Sequence, residues 1–141
     1  MSFKKILVAV DDSPATATVF AKALELAQTD AAHLMINHSI EIAAYSQLTM
    51  NLADLEIQTQ QAQGLLQFYY QKAKKQGVPA EFSYHTGDPG TNICDFARTW
   101  GADLIVLGRR GLKGFAELIV GSVSNHVVHH APCSVLIVQG K

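Results

Sequence analysis

The chain has 141 residues, of which 48% are hydrophobic and 16% are charged, a balance typical of one globular domain and not of a disordered chain. The formal net charge of -1 argues against a broad nucleic-acid surface, which needs a clear excess of Lys and Arg. The two cysteines, Cys94 and Cys133, form no CxxC motif, and no apolar run reaches the roughly 18 residues of a membrane span. We therefore expect a cytoplasmic protein with one domain over residues 1–141 and no membrane contact.

The first predicted element is a buried strand. Residues 6–10, Ile-Leu-Val-Ala-Val, form a continuous apolar run rich in β-branched side chains, typical of a strand buried on both faces. Ser13 and Pro14 then predict the N-cap and the first position of a helix with an apolar stripe at helical spacing. A second strand is predicted at residues 33–38, whereas residues 39–54 show no clear period.

The second half of the chain repeats this alternation. A long helix is predicted at about residues 55–76 and a third strand at 80–86, with Phe82 and Tyr84 on one face. After a turn at 87–90, a short helix from Asn92 leads to a fourth buried strand at 104–107. A last helix from Ser122 to near residue 130 precedes a fifth strand, Ser134–Val138. The alternation predicts a doubly wound α/β domain, with a parallel sheet covered by helices on both faces and a ligand site at the carboxyl ends of its strands.

A glycine-rich segment follows the fourth strand. Glycine lets a backbone approach a ligand closely, and the N–H groups of such turns and of a helix start favour phosphates. The segment holds four glycines and three cationic side chains: Gly108, Arg109, Arg110, Gly111, Lys113, Gly114 and Gly121. Ser122 has a hydroxyl for a phosphate and is also expected to cap the last helix. The order Lys-Gly excludes a Walker A loop, so from the residues alone a phosphate site and a plain connection both stay open.

The spacing of this segment resembles the nucleotide-binding motif of the ATP-binding branch of the universal stress proteins: Gly, two residues, Gly, nine residues, Gly-Ser. Gly108, Gly111, Gly121 and Ser122 match it without gaps, and the resemblance covers nearly the whole chain. It implies a Rossmann-like, five-stranded parallel sheet in the order 3-2-1-4-5. It also implies binding of ATP with Mg²⁺, nucleotide-dependent interactions in stress response or signalling, and a homodimer paired through Ser134–Val138.

The same resemblance implies roles for individual residues. Ala9, Val10 and Asp11 would line the adenine and ribose side, with Asp11 as a partner of the ribose or of a metal-bound water. Residues of the glycine segment and of the helix after it would surround the phosphates: Gly108, Arg110, Gly111, Gly121, Ser122, Val123 and Ser124. The position after the histidine of the second strand, which usually gives adenine an apolar contact, is Ser39 in this chain.

Other interpretations of the chain lead to different functions. Asp11-Asp12 also resembles the acidic pair of response-regulator receivers, but the strand expected to carry their phosphoacceptor ends in Gly108. Histidines at 126, 129 and 130 have metal-ligand spacing without an obvious third ligand, and no nucleophile has a recognisable base, so we predict no metal site and no catalytic residue. A slow ATPase and a nucleotide-free dimeric interaction module are the alternatives, and the intact glycine motif argues against the second.

Overall fold

The computed structural model describes residues 2–40, 52–109 and 121–139, in which strands and helices alternate as predicted. The strands are β1 (Lys5–Ala9), β2 (His33–Ile40), β3 (Ala80–Thr86), β4 (Leu104–Gly108) and β5 (Ser134–Val138). The helices are α1 (Thr16–Asp30), α2 (Leu52–Lys75), α3 (Pro89–Trp100) and α4 (Ser122–His130).

The five strands form one parallel sheet in the order β3-β2-β1-β4-β5, which confirms the predicted fold class and strand order. Val8 of β1 lies opposite Ile36 of β2 on one side and Val106 of β4 on the other. The strand order therefore reverses at β1, and the crevice used for ligands in such sheets lies beyond the carboxyl ends of β1 and β4.

Two apolar layers cover the sheet. Side chains of α1 and α2, such as Phe20 and Tyr69, pack on one face, and side chains of α3 and α4, such as Ile93 and Val127, pack on the other. Three consecutive residues of β1, Ile6 to Val8, have no exposed surface, because both faces of a central parallel strand are covered. The continuous apolar run that predicted β1 is thus explained by its place in the sheet.

Three helix starts differ from their predictions, and that of α2 at Leu52 precedes the start predicted near residue 55. Helix α1 begins at Thr16, with Ala15 as N-cap and no side-chain cap, so the assignment of Ser13 and Pro14 to the cap and first turn is wrong. The cause is local, because the Ser13 carbonyl accepts the Thr16 N–H at 3.2 Å and closes a turn before the helix. Helix α3 begins at Pro89, inside the predicted turn, because the Asp88 carboxylate accepts the N–H of the third helical residue, Thr91.

Long-range hydrogen bonds fix the edge of the sheet opposite to its carboxyl ends. The carboxylate of Asp103, just before β4, accepts the backbone N–H of Lys4 at 2.9 Å and of Lys5 at 3.1 Å. The Lys5 ammonium donates to the Trp100 carbonyl at 2.7 Å and lies 4.7 Å from the centre of the Trp100 ring. These contacts hold the start of β1 against the α3–β4 connection.

Within the described ranges, none of the helices combines the length and the apolar character needed to cross a bilayer.

Candidate functional site

The carboxyl ends of the strands form one edge of the sheet, which we call the carboxyl edge. Ala9 ends β1 and Gly108 ends the neighbouring strand β4, while Asn37 pairs with Ala9 from the other side and places Ser39 on the same edge. Helix α4 starts at this edge too, because the Gly121 N–H donates to the carbonyl of Arg109, the residue after β4. The fold thus brings the two predicted halves of a ligand site to the same edge.

Asp11 follows β1 and is held in a fixed orientation. One oxygen of its carboxylate accepts the Ser13 N–H at 2.9 Å and the hydroxyl of Thr16. The Asp11 N–H donates in return to the Thr16 hydroxyl oxygen at 3.1 Å. Thr16 is buried at the start of α1, so the first helix determines where this carboxylate lies.

A phenol on α2 also lies near this carboxylate. Burial, and to a smaller extent the negative charge of Asp11, raises the pKa of Tyr69. The Tyr69 ring packs against Phe20 with centroids 4.6 Å apart. Tyr69 is therefore a neutral phenol at neutral pH, and its ring belongs to the apolar layer under α1 and α2.

The ends of β1 and β2 are joined by a pair of hydrogen bonds. The Val10 N–H donates to the Asn37 carbonyl at 2.9 Å, and the Val10 carbonyl lies 2.8 Å from Nδ1 of His38. The side chain of Val10 is 4% exposed and packs in the core, so of Val10 only the backbone borders the carboxyl edge. Sequence reasoning assigned His38 no role beyond marking the position before Ser39.

Ser39 lies in a small polar cluster on the α3 side of the sheet. Across the β2–β3 pairing, Ser39 faces His85 and Asn37 faces Ser83. Three side-chain atoms here are buried and lack a hydrogen-bond partner among the described residues: Oδ1 of Asn37, Oγ of Ser39 and Nε2 of His85. Buried polar groups without a partner lower the stability of a protein. Ser39, the position expected to touch adenine, is one of these groups among the described residues.

The junction of β4 and α4 is the most tightly bonded part of the candidate site. The Arg109 carbonyl accepts the Gly121 N–H at 2.9 Å and the Ser124 hydroxyl at 2.7 Å, and the Arg109 N–H donates to the Val138 carbonyl at 3.1 Å. The Ser124 hydroxyl also lies 3.0 Å from the Gly121 carbonyl, and Ser124 is 1% exposed. Arg109 and Gly121 border the undescribed residues 110–120, so both flanks of that segment meet at one carbonyl oxygen.

Helix α4 begins without a side-chain cap. Gly121 is its N-cap, with φ -60° and ψ 157°, and Ser122 is its first helical residue and is exposed. The expectation that Ser122 caps the helix is therefore wrong, because the extended backbone of Gly121 already occupies the cap position. The amides of Ser122 and Val123 have no acceptor inside the helix and lie at its positive end, an arrangement that suits an anion.

The predicted site residues thus fall into four sets. Ala9, Val10, Asp11 and Ser39 lie at the ends of β1 and β2, and Gly108, Gly121, Ser122 and Val123 lie at the β4–α4 junction. The hydroxyl of Ser124 turns to backbone carbonyls. Arg110 and Gly111 lie outside the described residues.

The histidines and cysteines of the chain are the side chains to consider for a metal site or a nucleophile, for which the sequence predicts neither role. Among residues 2–40, 52–109 and 121–139, no three His, Cys, Asp or Glu side chains gather closely enough to hold a metal ion. His126 and His130 stack with ring centroids 4.3 Å apart, and Nδ1 of His130 lies 2.9 Å from the His126 carbonyl. Burial raises the pKa of both the Cys94 and the Cys133 thiols, which keeps them protonated at neutral pH.

Comparison with known proteins assigns this α/β domain to a family. The model of the universal stress protein family matches residues 2–139. A universal stress protein of Synechocystis is 40% identical to this chain, and the match covers 99% of both proteins. The chain therefore belongs to the universal stress protein family.

Two solved structures of the family are complexes with adenine nucleotides. The universal stress protein from Archaeoglobus fulgidus in complex with dAMP is 25% identical, with a TM-score of 0.73 over 99% of this chain and 100% of that one. A universal stress protein family protein from Arabidopsis thaliana with AMP bound is 27% identical, with a TM-score of 0.70 over 98% of this chain and 92% of that one.

Proposed function

We propose that this protein binds an adenine nucleotide, ATP with Mg²⁺ in particular, at the carboxyl edge of its sheet. The observation that carries the proposal is the β4–α4 junction, where Gly108 and the uncapped amides of Ser122 and Val123 lie together. The dAMP and AMP complexes of similar chains support an adenine nucleotide as the ligand class. The gap-free match of the glycine spacing to the ATP-binding branch supports a triphosphate.

The chemistry of the edge fits a nucleotide laid across β1 and β4. The first-turn amides of α4 and the helix dipole favour phosphate oxygens, and Ser122 adds an exposed hydroxyl. On the other side of the crevice, Asp11 has a second carboxylate oxygen beyond the one held by Ser13 and Thr16. A carboxylate accepts hydrogen bonds from ribose hydroxyls, and we assign that role to Asp11. Mg²⁺ would be held through the phosphates, since it prefers oxygen ligands and retains waters.

We place the role of the protein in binding and signalling, not in turnover. The thiols are kept protonated by burial, and the Asp11 carboxylate is engaged by its own turn. In this proposal the bound nucleotide changes which surfaces the protein presents to a cytoplasmic partner during stress.

A titration of one variant tests the phosphate site. Gly121 has a negative φ, so Gly121→Val introduces no left-handed strain and instead places a branched side chain where a phosphate must approach the backbone. We expect calorimetry with ATP and Mg²⁺ to show at least about tenfold weaker binding than wild type. Gly64→Val is the control, because a Cβ at Gly64 meets nothing within 4 Å. Equal ATP affinity for Gly121→Val and wild type would refute the phosphate assignment.

We also propose a homodimer paired through β5, as the family resemblance implied. Strand β5 is an edge strand whose residues Val135 to Val138 are only partly buried, and it contains no Lys, Glu or Pro. Such an edge usually needs protection. The Val138 carbonyl turns toward β4 to accept the Arg109 N–H, so the backbone groups of Val135 and Ile137 turn to the open edge.

Light scattering at micromolar concentration tests the dimer. We expect twice the monomer mass for wild type and the monomer mass for Ile137→Pro, which removes an N–H on the open edge. Circular dichroism serves as the control that the variant is folded. A wild-type monomer would contradict this proposal.

A further inference from the structure

We propose that Ser124 is a positioning residue for the phosphate site: its hydroxyl joins β4 to α4 and thereby sets where the first amides of α4 lie. This inference rests on the proposed nucleotide binding and adds a residue that acts without touching the ligand. It changes the expectation drawn from the family resemblance, in which Ser124 was one of the phosphate contacts.

The geometry of the hydroxyl separates these two roles. Ser124 lies in the first turn of α4 and is 1% exposed, so its side chain faces the protein interior and not the carboxyl edge. Its oxygen lies 2.7 Å from the Arg109 carbonyl and 3.0 Å from the Gly121 carbonyl. A hydroxyl has one proton to donate, and the shorter distance assigns that proton to Arg109.

The Arg109 carbonyl that accepts this proton is itself held in place by the sheet. Arg109 directly follows Gly108, the last residue of β4, and its N–H is held by the Val138 carbonyl of β5 at 3.1 Å. The same Arg109 carbonyl accepts the Gly121 N–H at 2.9 Å. Two donors from α4 and its cap therefore converge on one oxygen that is fixed to the sheet.

The Ser124 hydrogen bond affects the distance between the end of β4 and the start of α4, which form the two halves of the phosphate site. Gly108 belongs to the sheet, and the amides of Ser122 and Val123 belong to the helix, so a phosphate bound between them requires a fixed distance. Among the described hydrogen bonds from α4 and its cap to the Arg109 carbonyl, loss of the Ser124 hydroxyl leaves the one from Gly121. The helix start then has more freedom, and a phosphate must restrict that freedom when it binds.

Ser124→Ala removes the hydroxyl with little risk to folding. The Arg109 carbonyl keeps the Gly121 N–H, and the Gly121 carbonyl keeps the Asn125 N–H at 2.9 Å, so no acceptor is left unpaired. Alanine is also a better helix former than serine. Ser124→Thr keeps a hydroxyl at the same place, and His129→Ala, an exposed change in the last turn of α4, is the control.

Calorimetric titration with adenosine, AMP and ATP tests the role. We expect Ser124→Ala to weaken AMP and ATP binding by about three- to tenfold, the effect of one hydrogen bond, while adenosine affinity stays within about twofold of wild type. Ser124→Thr should recover most of the loss, and His129→Ala should match wild type. Unchanged ATP binding in Ser124→Ala, or an equal loss for adenosine, would overturn the positioning role.

Hydrogen exchange in the protein without ligand separates this inference from the proposed function. The Gly121 amide should exchange faster in Ser124→Ala than in wild type, because the start of α4 is then held less firmly against the Arg109 carbonyl and opens more often. If wild type binds neither adenosine nor ATP, the proposed function fails whatever the exchange shows. If wild type binds ATP and the Gly121 amide exchanges at the same rate in both proteins, the positioning role alone fails.

Discussion

The packing of α3 against α4 depends on the absence of a side chain at Gly90. A Cβ at this position would lie 2.9 Å from Cδ2 and Cγ of His126 and 3.0 Å from its Cβ. The Cβ of His126 cannot rotate away from the new side chain, because it is attached directly to the α4 backbone. The His126 ring is also stacked on His130. Gly90→Ala must therefore push the two helices apart, and α4 is the helix whose start forms the phosphate site.

The size of the effect follows from the distances. An ordinary Cβ contact begins at 3.4 Å, and the contact with Cγ would be 2.9 Å, so the helices must separate by about 0.5 Å. Overpacking of this kind costs about 1–3 kcal/mol, whereas replacing a helical glycine by alanine returns at most about 1 kcal/mol. We expect Gly90→Ala to lower the free energy of unfolding by about 1–2 kcal/mol.

Urea denaturation followed by circular dichroism measures this change. Gly64→Ala is the matched control in α2, where a new Cβ meets nothing within 4 Å, and it should raise stability by about 0.5–1 kcal/mol. In a His126→Gly background, which lacks both the ring and the Cβ, the cost of Gly90→Ala should fall by at least about 1 kcal/mol. An equal loss in both backgrounds would refute the reasoning, as would a Gly90→Ala protein as stable as wild type.

Two further predictions concern carboxylates at the ends of elements. Asp103→Ala should lower the free energy of unfolding by about 1–3 kcal/mol, because two backbone N–H groups at the start of β1 lose their acceptor; a urea midpoint equal to wild type would contradict this. Hydrogen bonds from the N–H and hydroxyl of Thr91 hold the pKa of Asp88 below its usual 3.8. The stabilisation from Asp88 is therefore present above pH 3.8 and lost as the pH falls through the lower folded value. Asp88→Ala should cost about 1 kcal/mol at pH 7 and less below pH 3.8, whereas Asp88→Asn, which keeps the cap, should stay near wild type at pH 7. A gap between Asp88→Ala and wild type that is unchanged at low pH would contradict the assignment.

Most of the fold could be predicted because its signals are local. The buried strands appear as short apolar runs, and β1 and β4 lie in the centre of the sheet as their composition predicts. The start of α3 differs from its prediction because the sequence around Asp88 and Pro89 fits a turn, although an Asp before a Pro is equally a cap followed by a first helical residue.

The internal bonding of the candidate site could not be predicted from local patterns. The link from Ser124 to Arg109 joins residues 15 positions apart, and it depends on where a backbone carbonyl lies after β4. The two reciprocal hydrogen bonds between Asp11 and Thr16 depend in the same way on a turn that the Ser-Pro pattern does not indicate. The residue types at the site were visible in the sequence, whereas their partners are set by tertiary structure.

Native mass spectrometry of the purified, untagged chain, before and after addition of ATP with Mg²⁺, tests the central claim most directly. The account predicts a species heavier by one adenine nucleotide per chain, either on purification or after addition of ATP. The Gly121→Val protein should show this species at a much lower fraction. A wild-type chain that keeps its bare mass at millimolar ATP, ADP and AMP would contradict nucleotide binding at the carboxyl edge.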